Sequence, residues 1–466
     1  MKLWKNHIIW QSRYIVACIT IALTIAGCQE NVPEFTPKVF EVSKSEFPDV
    51  SYEGATLEVR VSAYDKWSTH GGTDWCRPSI ASAMGDTTMM ISVDPNINRD
   101  RECTIELKLG EDSRKIRVVQ PAMPEGREIH YKLPVIFHVL YTDADDPSQN
   151  PDAQYIYQIL DEVNAIYHQA GPESVDMNLE VVPATHDPDG NGLKEPGIVR
   201  EYMVSNELYM EDVMLSQSGE YNKYIWDPNR YVNVLLYRFK DKLDPEVNQV
   251  MGVSTFPYTP GWASLPGTKP IGNLDLKPQN LKYAHCISLN NSYTLPRSYA
   301  FPGRPLDNRQ LSMSNTLAHE LGHYLGLYHI FSESDAPFET CVDTDYCRDT
   351  YSYNMEDYKR RLTRLIRVWL ADESYRTDEN YLKVFERESC THGAFVSHNI
   401  MDYVYSYLDR FTADQRKRVR HVLTYSPLIP GPKKVSSVRS MQVEGPVDLP
   451  VQVMCMPRSY KQVSLK

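Results

Sequence analysis

Three histidines and a glutamate carry the chemistry of this chain. The run His319-Glu320-Leu321-Gly322-His323-Tyr324-Leu325-Gly326-Leu327-Tyr328-His329 has the pattern H-E-x-x-H-x-x-G-x-x-H. On a helix, residues four apart lie about 40° apart around the axis, so His319 and His323 project from one face. Zinc takes four tetrahedral ligands, and a catalytic site keeps one of them as water, so a third protein ligand must come from elsewhere. Gly326 tolerates positive φ, which lets the helix end and swings the chain back to bring His329 to the same point. Glu320 then lies beside the water, where it can take its proton. Five fixed positions of this kind recur by chance in about 3 of 100,000 chains of this length.

The elements around the motif must hold it in place. Leu317, Leu321 and Leu325 recur at i, i+4, i+8 and predict a helix whose face opposite the histidines is buried. Ser312 or Ser314 is placed to cap its start. A second motif, His398-Asn399-Ile400-Met401-Asp402-Tyr403, places its methionine 72 residues after His329.

The two motifs together resemble those of the metzincins, and an N-x-M-D-Y turn looks most like the pappalysin family. The resemblance implies a zinc peptidase with Met401 in the floor under the metal. It also implies a Tyr403 phenol that hydrogen-bonds the tetrahedral oxyanion, so that it stabilises the transition state more than the ground state. Weaker similarity extends the match to residues 131–425. Leu133 to Tyr141 resembles the first strand of that domain. Tyr155 to His168 resembles its first long helix, with Ile156, Ile159, Leu160, Val163 and Ile166 as an apolar stripe. Tyr231 to Tyr237 reads as a buried strand, and Phe411-Thr412-Ala413-Asp414-Gln415 opens a closing helix through Val422.

Pappalysin-like enzymes carry a D-x-x-x-D-T stretch between the motifs that helps to bind calcium. Asp345 and Thr350 are the matching candidate ligands, with Asp349 completing the pattern; hard oxygens on a turn suit calcium, and a solvated acidic turn is the competing reading. Cys341 and Cys390 fall where the related enzymes have a bridge. Some relatives place an acidic residue five positions after the turn methionine to select basic side chains. Ser406 stands there in this chain, so that preference is not carried over. Residues 351–389 are longer and more basic than the family leads one to expect. Within them, Lys359 to Leu370 can form an amphipathic helix, a solvated face by default, with a part in shaping the cleft as the alternative.

Residues 1–28 read as a lipoprotein signal. Lys2, Lys5 and Arg13 give a positive start. Tyr14 to Ile25 is too short for a membrane span, and Ile25-Ala26-Gly27-Cys28 resembles a bacterial lipobox. The expectation is lipid on Cys28, a polar tether over 29–37, and a place in the bacterial cell envelope, anchored to the outer membrane and facing the periplasm or the outside. An exported chain permits disulfides. Cys76 and Cys103 form a second candidate pair, and Cys286, Cys347 and Cys455 stay unassigned.

Residues 38–122 read as all-β. Leu57-Glu58-Val59-Arg60-Val61, Thr104 to Leu109 and Lys115 to Gln120 alternate apolar and polar, while Thr88 to Val93 is apolar but alternates poorly. Turn chemistry at Asp94 to Asn98 and Gly110 to Asp112 separates them. Short strands at this spacing predict an immunoglobulin-like sandwich. The order Trp67, Trp75, Asn96, Arg101, Thr104-Ile105, Val119-Gln120-Pro121 resembles the BACON domain, which implies glycan or mucin contact; a spacer with buried tryptophans is the plainer reading. Residues 426–466 form a tail that either adds a strand through Val447 to Met454 or stays loose.

With 61 acidic and 49 basic residues the net charge is −12, which disfavours nucleic acid as a partner. The expected architecture is a small β-sandwich followed by an α/β (α+β) metzincin domain. As a whole the chain resembles zinc-dependent metalloprotease lipoproteins of Bacteroides-type bacteria. The expected activity is peptide-bond hydrolysis in peptide or protein substrates. His319, His323 and His329 hold zinc, Glu320 acts as general base, and Tyr403 supports the oxyanion. Substrate is expected to add a strand to an exposed sheet edge, with Met251 to Phe256 the candidate. The competing class is a surface adhesin or glycan-binding lipoprotein whose protease domain is latent or secondary.

Overall fold

A computed structural model describes residues 38–169, 171–204, 208–240, 250–272, 274–294, 312–332, 341–403, 405–436 and 441–454. The expected signal segment with Cys28, the tether over 29–37 and Cys455 lie outside the described residues. The chain divides into two compact units. Residues 49–55, 94–102 and 119–122, inside the expected span 38–122, group with the second unit.

The first unit is all-β. Strands β1 (Phe40–Val42), β2 (Glu46–Phe47), β3 (Ala55–Ala63), β4 (Lys66–Gly71), β5 (Cys76–Pro78), β6 (Ser82–Met84), β7 (Thr87–Val93), β8 (Arg101–Leu109) and β9 (Asp112–Gln120) form two sheets. One has the order β1-β3-β7-β5, the other β2-β9-β8-β4-β6. Alternation decides which side chains are inside: Val59 and Val61 of β3, Ile105 and Leu107 of β8, and Ile116 and Val118 of β9 are buried, with exposed or half-buried residues between them. Trp67 is buried and its indole N–H donates to the Gly85 carbonyl, so this tryptophan belongs to the core. The expected Cys76–Cys103 bridge is not formed. The two residues lie on strands of different sheets, and Cys103 keeps its thiol.

The second unit is built on a mostly parallel sheet. Its strands are β10 (Tyr131–Tyr141), β11 (Leu179–Pro183), β12 (Ile198–Tyr202), β13 (Val232–Tyr237), β14 (Gly252–Thr255) and β15 (Ile287–Asn290). A short hairpin, β16 (Glu386–Ser389) with β17 (Gly393–Val396), lies apart, and β18 (Val453–Met454) closes the sheet, whose order is β11-β10-β13-β15-β14-β18. β11 and β12 run parallel to successive halves of β10. β10, β13 and β15 run parallel, and β14 is antiparallel to β15. β13 is buried at every position, as a strand covered on both faces must be.

Helices α1 (Ala153–Gln169), α2 (Met313–Tyr324), α3 (Met355–Ala371) and α4 (Ala413–Tyr425) complete the part that matters for the site. In α1 the buried residues are Ile156, Ile159, Leu160, Val163 and Tyr167. Tyr167 takes the place expected of Ile166, which is only half-buried, because its hydroxyl reaches across to donate to the Ala318 carbonyl of α2 at 3.0 Å. α3 forms where the basic stretch predicts it, capped by Asn354 and anchored by Met355, Tyr358 and Trp369. The tail adds strands at two places: Met441–Gln442 pairs with Leu274–Asp275, and β18 pairs with β14.

Candidate metal centre

Helix α2 begins where Ser312 accepts a hydrogen bond from the Asn315 N–H; Ser314 instead bonds Glu162 of α1. It ends at Gly326, whose φ of 91° only glycine adopts cheaply. There the Leu327 N–H donates to the Gly322 carbonyl and the Gly326 N–H to that of His323, the paired bonds that close a helix with a left-handed residue. A Cβ on Gly326 would also lie 2.8 Å from Val422 of α4. The expected division into a buried and a polar face does not hold. His319, Glu320 and His323 are buried along with Leu317 and Leu321, because the histidine face is roofed and floored by protein.

The chain that swings back from Gly326 brings three ring nitrogens together. Nε2 of His323 lies 3.1 Å from Nε2 of His319 and 3.2 Å from that of His329, and the last two are 3.2 Å apart. Nitrogens bound to one tetrahedral zinc at 2.0–2.1 Å stand about 3.3–3.4 Å apart, so the triangle fits the metal closely. The outer nitrogens fix the tautomers. His319 Nδ1 donates to the Ile400 carbonyl at 2.8 Å and His323 Nδ1 to that of Leu327 at 2.7 Å. A carbonyl only accepts, so each ring keeps a proton on Nδ1 and turns Nε2 inward. His329 stacks on Phe331 with ring centres 4.5 Å apart. Three neutral imidazoles suit zinc.

The floor comes from the second motif. Met401 is buried, and a Cβ on Gly322 would lie 2.5 Å from its sulfur, so the glycine inside the zinc motif makes room for the methionine below. The Met401 N–H donates to the Asn399 side chain, which trades two amide hydrogen bonds with Gln415 of α4. The Met401 carbonyl accepts from the Ile330 N–H, next to His329. Tyr403 is 38% exposed and its ring lies 4.7 Å from that of His329, at the rim of the site.

Two contacts of the site have one partner outside both motifs. Gly252 of β14 lies against helix α2: a Cβ there would be 2.6 Å from Cγ of Glu320. Under the turn, Asp402 is fully buried and paired with Arg387 at 3.2 Å; it also accepts from Tyr353, Ser397 and the Tyr403 N–H. Arg387 and Tyr353 come from the long stretch 351–389. No local signal marks the pairing of residues this far apart in the chain; only an arginine in an otherwise ordinary strand hints at it.

The remaining candidates fall nearby. Cys341 and Cys390 are bridged. Asp345 is buried and accepts from the Cys347 N–H at 2.8 Å and the Thr350 hydroxyl at 2.6 Å; burial pushes its carboxyl up to about 7. Asp349 accepts from the Asp414 N–H in the first turn of α4. Ser406 is buried and bonded to Ser397 and the Asn399 carbonyl. Met251 to Phe256 is not the exposed edge expected of it. Gly252–Thr255 is buried, and β18 pairs with its outer side at Ser254 and Thr255.

Residues 296–424 match the profile of the peptidase family described as pregnancy-associated plasma protein-A. Extracellular metalloproteases of Arthroderma otae and Trichophyton verrucosum are each 32% identical, over 127 and 125 residues. The match takes 26% of this chain and 36% and 35% of theirs, so the chain spans about a third of the length of these curated relatives. Among solved structures, mature mirolysin of Tannerella forsythia in complex with a cleaved peptide is 18% identical, at a TM-score of 0.39 over 63% of this chain and 92% of that one. A protein from Bacteroides thetaiotaomicron is 18% identical at a TM-score of 0.15, over 21% of this chain and all of that one.

Proposed function

We propose that this chain, a pappalysin-like metzincin through its residues 296–424, is a zinc-dependent endopeptidase. The observation that carries the reading is the convergence of three Nε2 atoms within 3.2 Å of one another beside a buried glutamate. His319, His323 and His329 would hold the zinc, which when bound supplies Lewis acidity for the scissile carbonyl and lowers the pKa of water towards about 7. Glu320 takes a proton from the attacking water as its oxygen bonds the carbonyl carbon. The same carboxyl returns that proton to the amine as the C–N bond breaks. Tyr403 aims a phenol at the oxyanion formed in between. Gly252 lets the strand approach Glu320 closely, which leaves the carboxylate little water and a fixed direction.

Cleavage of a mixed peptide library by residues 29–466 tests this, beside the Glu320→Ala variant and a chelator-treated sample. Loss of cleavage in both controls, with one zinc still bound to the variant, is the expected result. Cleavage retained by Glu320→Ala removes the general-base role.

Lipid on Cys28 would anchor the protein in the bacterial envelope, and Cys28→Ser should then release it from membranes. Residues 38–122 form an immunoglobulin-like, BACON-like module in this reading. The burial of Trp67 favours a spacer over a glycan contact. Calcium at Asp345 and Thr350 is proposed from the D-x-x-x-D-T resemblance alone; a cation there would keep the buried carboxylate ionised.

A further inference from the structure

We propose that the chain's own C-terminal strand occupies the peptide-binding edge beside the metal centre and holds it self-inhibited. The inference rests on the peptidase reading. β14 is bonded to β15 along one side. On the other side Ser254 pairs with Met454 and Thr255 with Val453, antiparallel, and the Phe256 N–H donates to the Gln452 carbonyl at 2.9 Å. An extended peptide that adds a strand to this sheet needs the same backbone groups.

The edge leads to the chemistry. Gly252 touches Glu320, and two residues of extended chain cover about 6.6 Å, so Ser254 lies one pleat repeat from the general base. The register fixes the direction: as β18 runs from Val453 to Met454, its partners run from Thr255 to Ser254, towards Gly252. The strand therefore points along the edge at the candidate catalytic carboxylate.

The tail is tied down before it reaches the edge. The Asn280 side chain donates to the Val443 and Gly445 carbonyls, and the Val447 N–H donates to the Asn280 carbonyl. The Tyr258 hydroxyl donates to the Pro450 carbonyl at 2.8 Å. Leu449 packs with Leu276, Tyr283 and Leu428. A strand delivered by so short a tether competes at an effective concentration on the order of millimolar. The strand itself is two residues long, short enough for a substrate of several residues to displace.

Two changes in the otherwise intact chain test this. Met454→Pro removes a backbone donor that faces β14. Thr255→Cys with Val453→Cys places a cysteine pair at directly opposed positions, close enough to bridge on oxidation. A labelled extended-peptide pool is titrated onto Glu320→Ala with and without Met454→Pro, and cleavage is followed in chains that keep Glu320. Opening the edge should tighten peptide binding and raise kcat/KM by about tenfold, mainly through KM, as loss of a tethered competitor requires. Oxidising the cysteine pair should reverse both effects, while the parent chain ignores the same treatment. Equal peptide affinity with the edge paired, opened or locked overturns the proposal, even in a chain that cleaves. Tighter binding without any cleavage keeps it and removes the peptidase reading instead. If Met454→Pro does not fold, the oxidised and reduced forms of the cysteine pair decide alone.

Discussion

Gly322 and Met401 meet because the glycine has no Cβ to hold the sulfur away. Gly322→Ala would drive a methyl into the Met401 sulfur, and overpacking of this kind costs about 1–3 kcal/mol. The expected result is a lower midpoint in urea and weaker zinc binding in a competition titration. Unchanged zinc affinity would show that the floor does not set the ligand geometry. Beneath it, the Arg387–Asp402 pair is fully buried. Removing one partner strands the other charge, at about 3–5 kcal/mol. Arg387→Met should therefore cost more than the double change with Asp402→Asn, a difference that a double-mutant cycle reads directly. At this scale the convergence of His319, His323 and His329 was legible because the chemistry expected of them needs short, fixed spacing. The Arg387–Asp402 pairing and the approach of Gly252 to Glu320 were not, since the partners in each case lie far apart in the chain.

At the scale of elements, burial decides what alternation only suggests. β10 carries His138 in its centre, fully buried, with Nε2 facing Asn233 at 3.1 Å. Burial depresses its pKa from 6.5 to about 4. The unfolded chain binds the proton first as pH falls, so the neutral ring contributes stability above about 6.5 that is lost on the way down to about 4. The contribution is up to about 3 kcal/mol, from 1.36 kcal/mol per unit. His138→Gln should flatten the fall in unfolding free energy between pH 6.5 and 4; an unchanged slope would place the acid sensitivity elsewhere. The strands and helices were legible where an apolar period runs long, as in α1 and β13. The exchange of Ile166 for Tyr167 was not, because the phenol's partner sits on another helix. Nor was the burial of the histidine face of α2, which depends on what covers it.

For the molecule as a whole, the metal and the fold are linked. A zinc ion present at a hundred times its Kd adds about 2.7 kcal/mol to the unit that binds it and nothing to a unit that does not. Calorimetry of the whole chain should show two transitions, with a chelator lowering only one. His329→Ala should abolish that chelator response; a response in both transitions would mean that the two units do not unfold separately. A change from short alternating strands to longer elements after residue 131 was legible, while the second compact unit takes the chain from Val119 onward. The interleaved membership of residues 49–55 and 94–102 was not, because it follows contacts rather than chain order.

The carbonyl that fixes the proton of His319 belongs to Ile400, 81 residues further along. Ribosomes add roughly 5–20 residues each second, so a growing chain carries the complete histidine motif, which ends at His329, for about 4–14 seconds before that carbonyl exists. During this interval His319 lacks the acceptor that turns its Nε2 inward, and Gly322 has no sulfur beneath it. The separation sets an order of synthesis: a nascent chain is past its three histidines well before it holds the acceptor for the first of them.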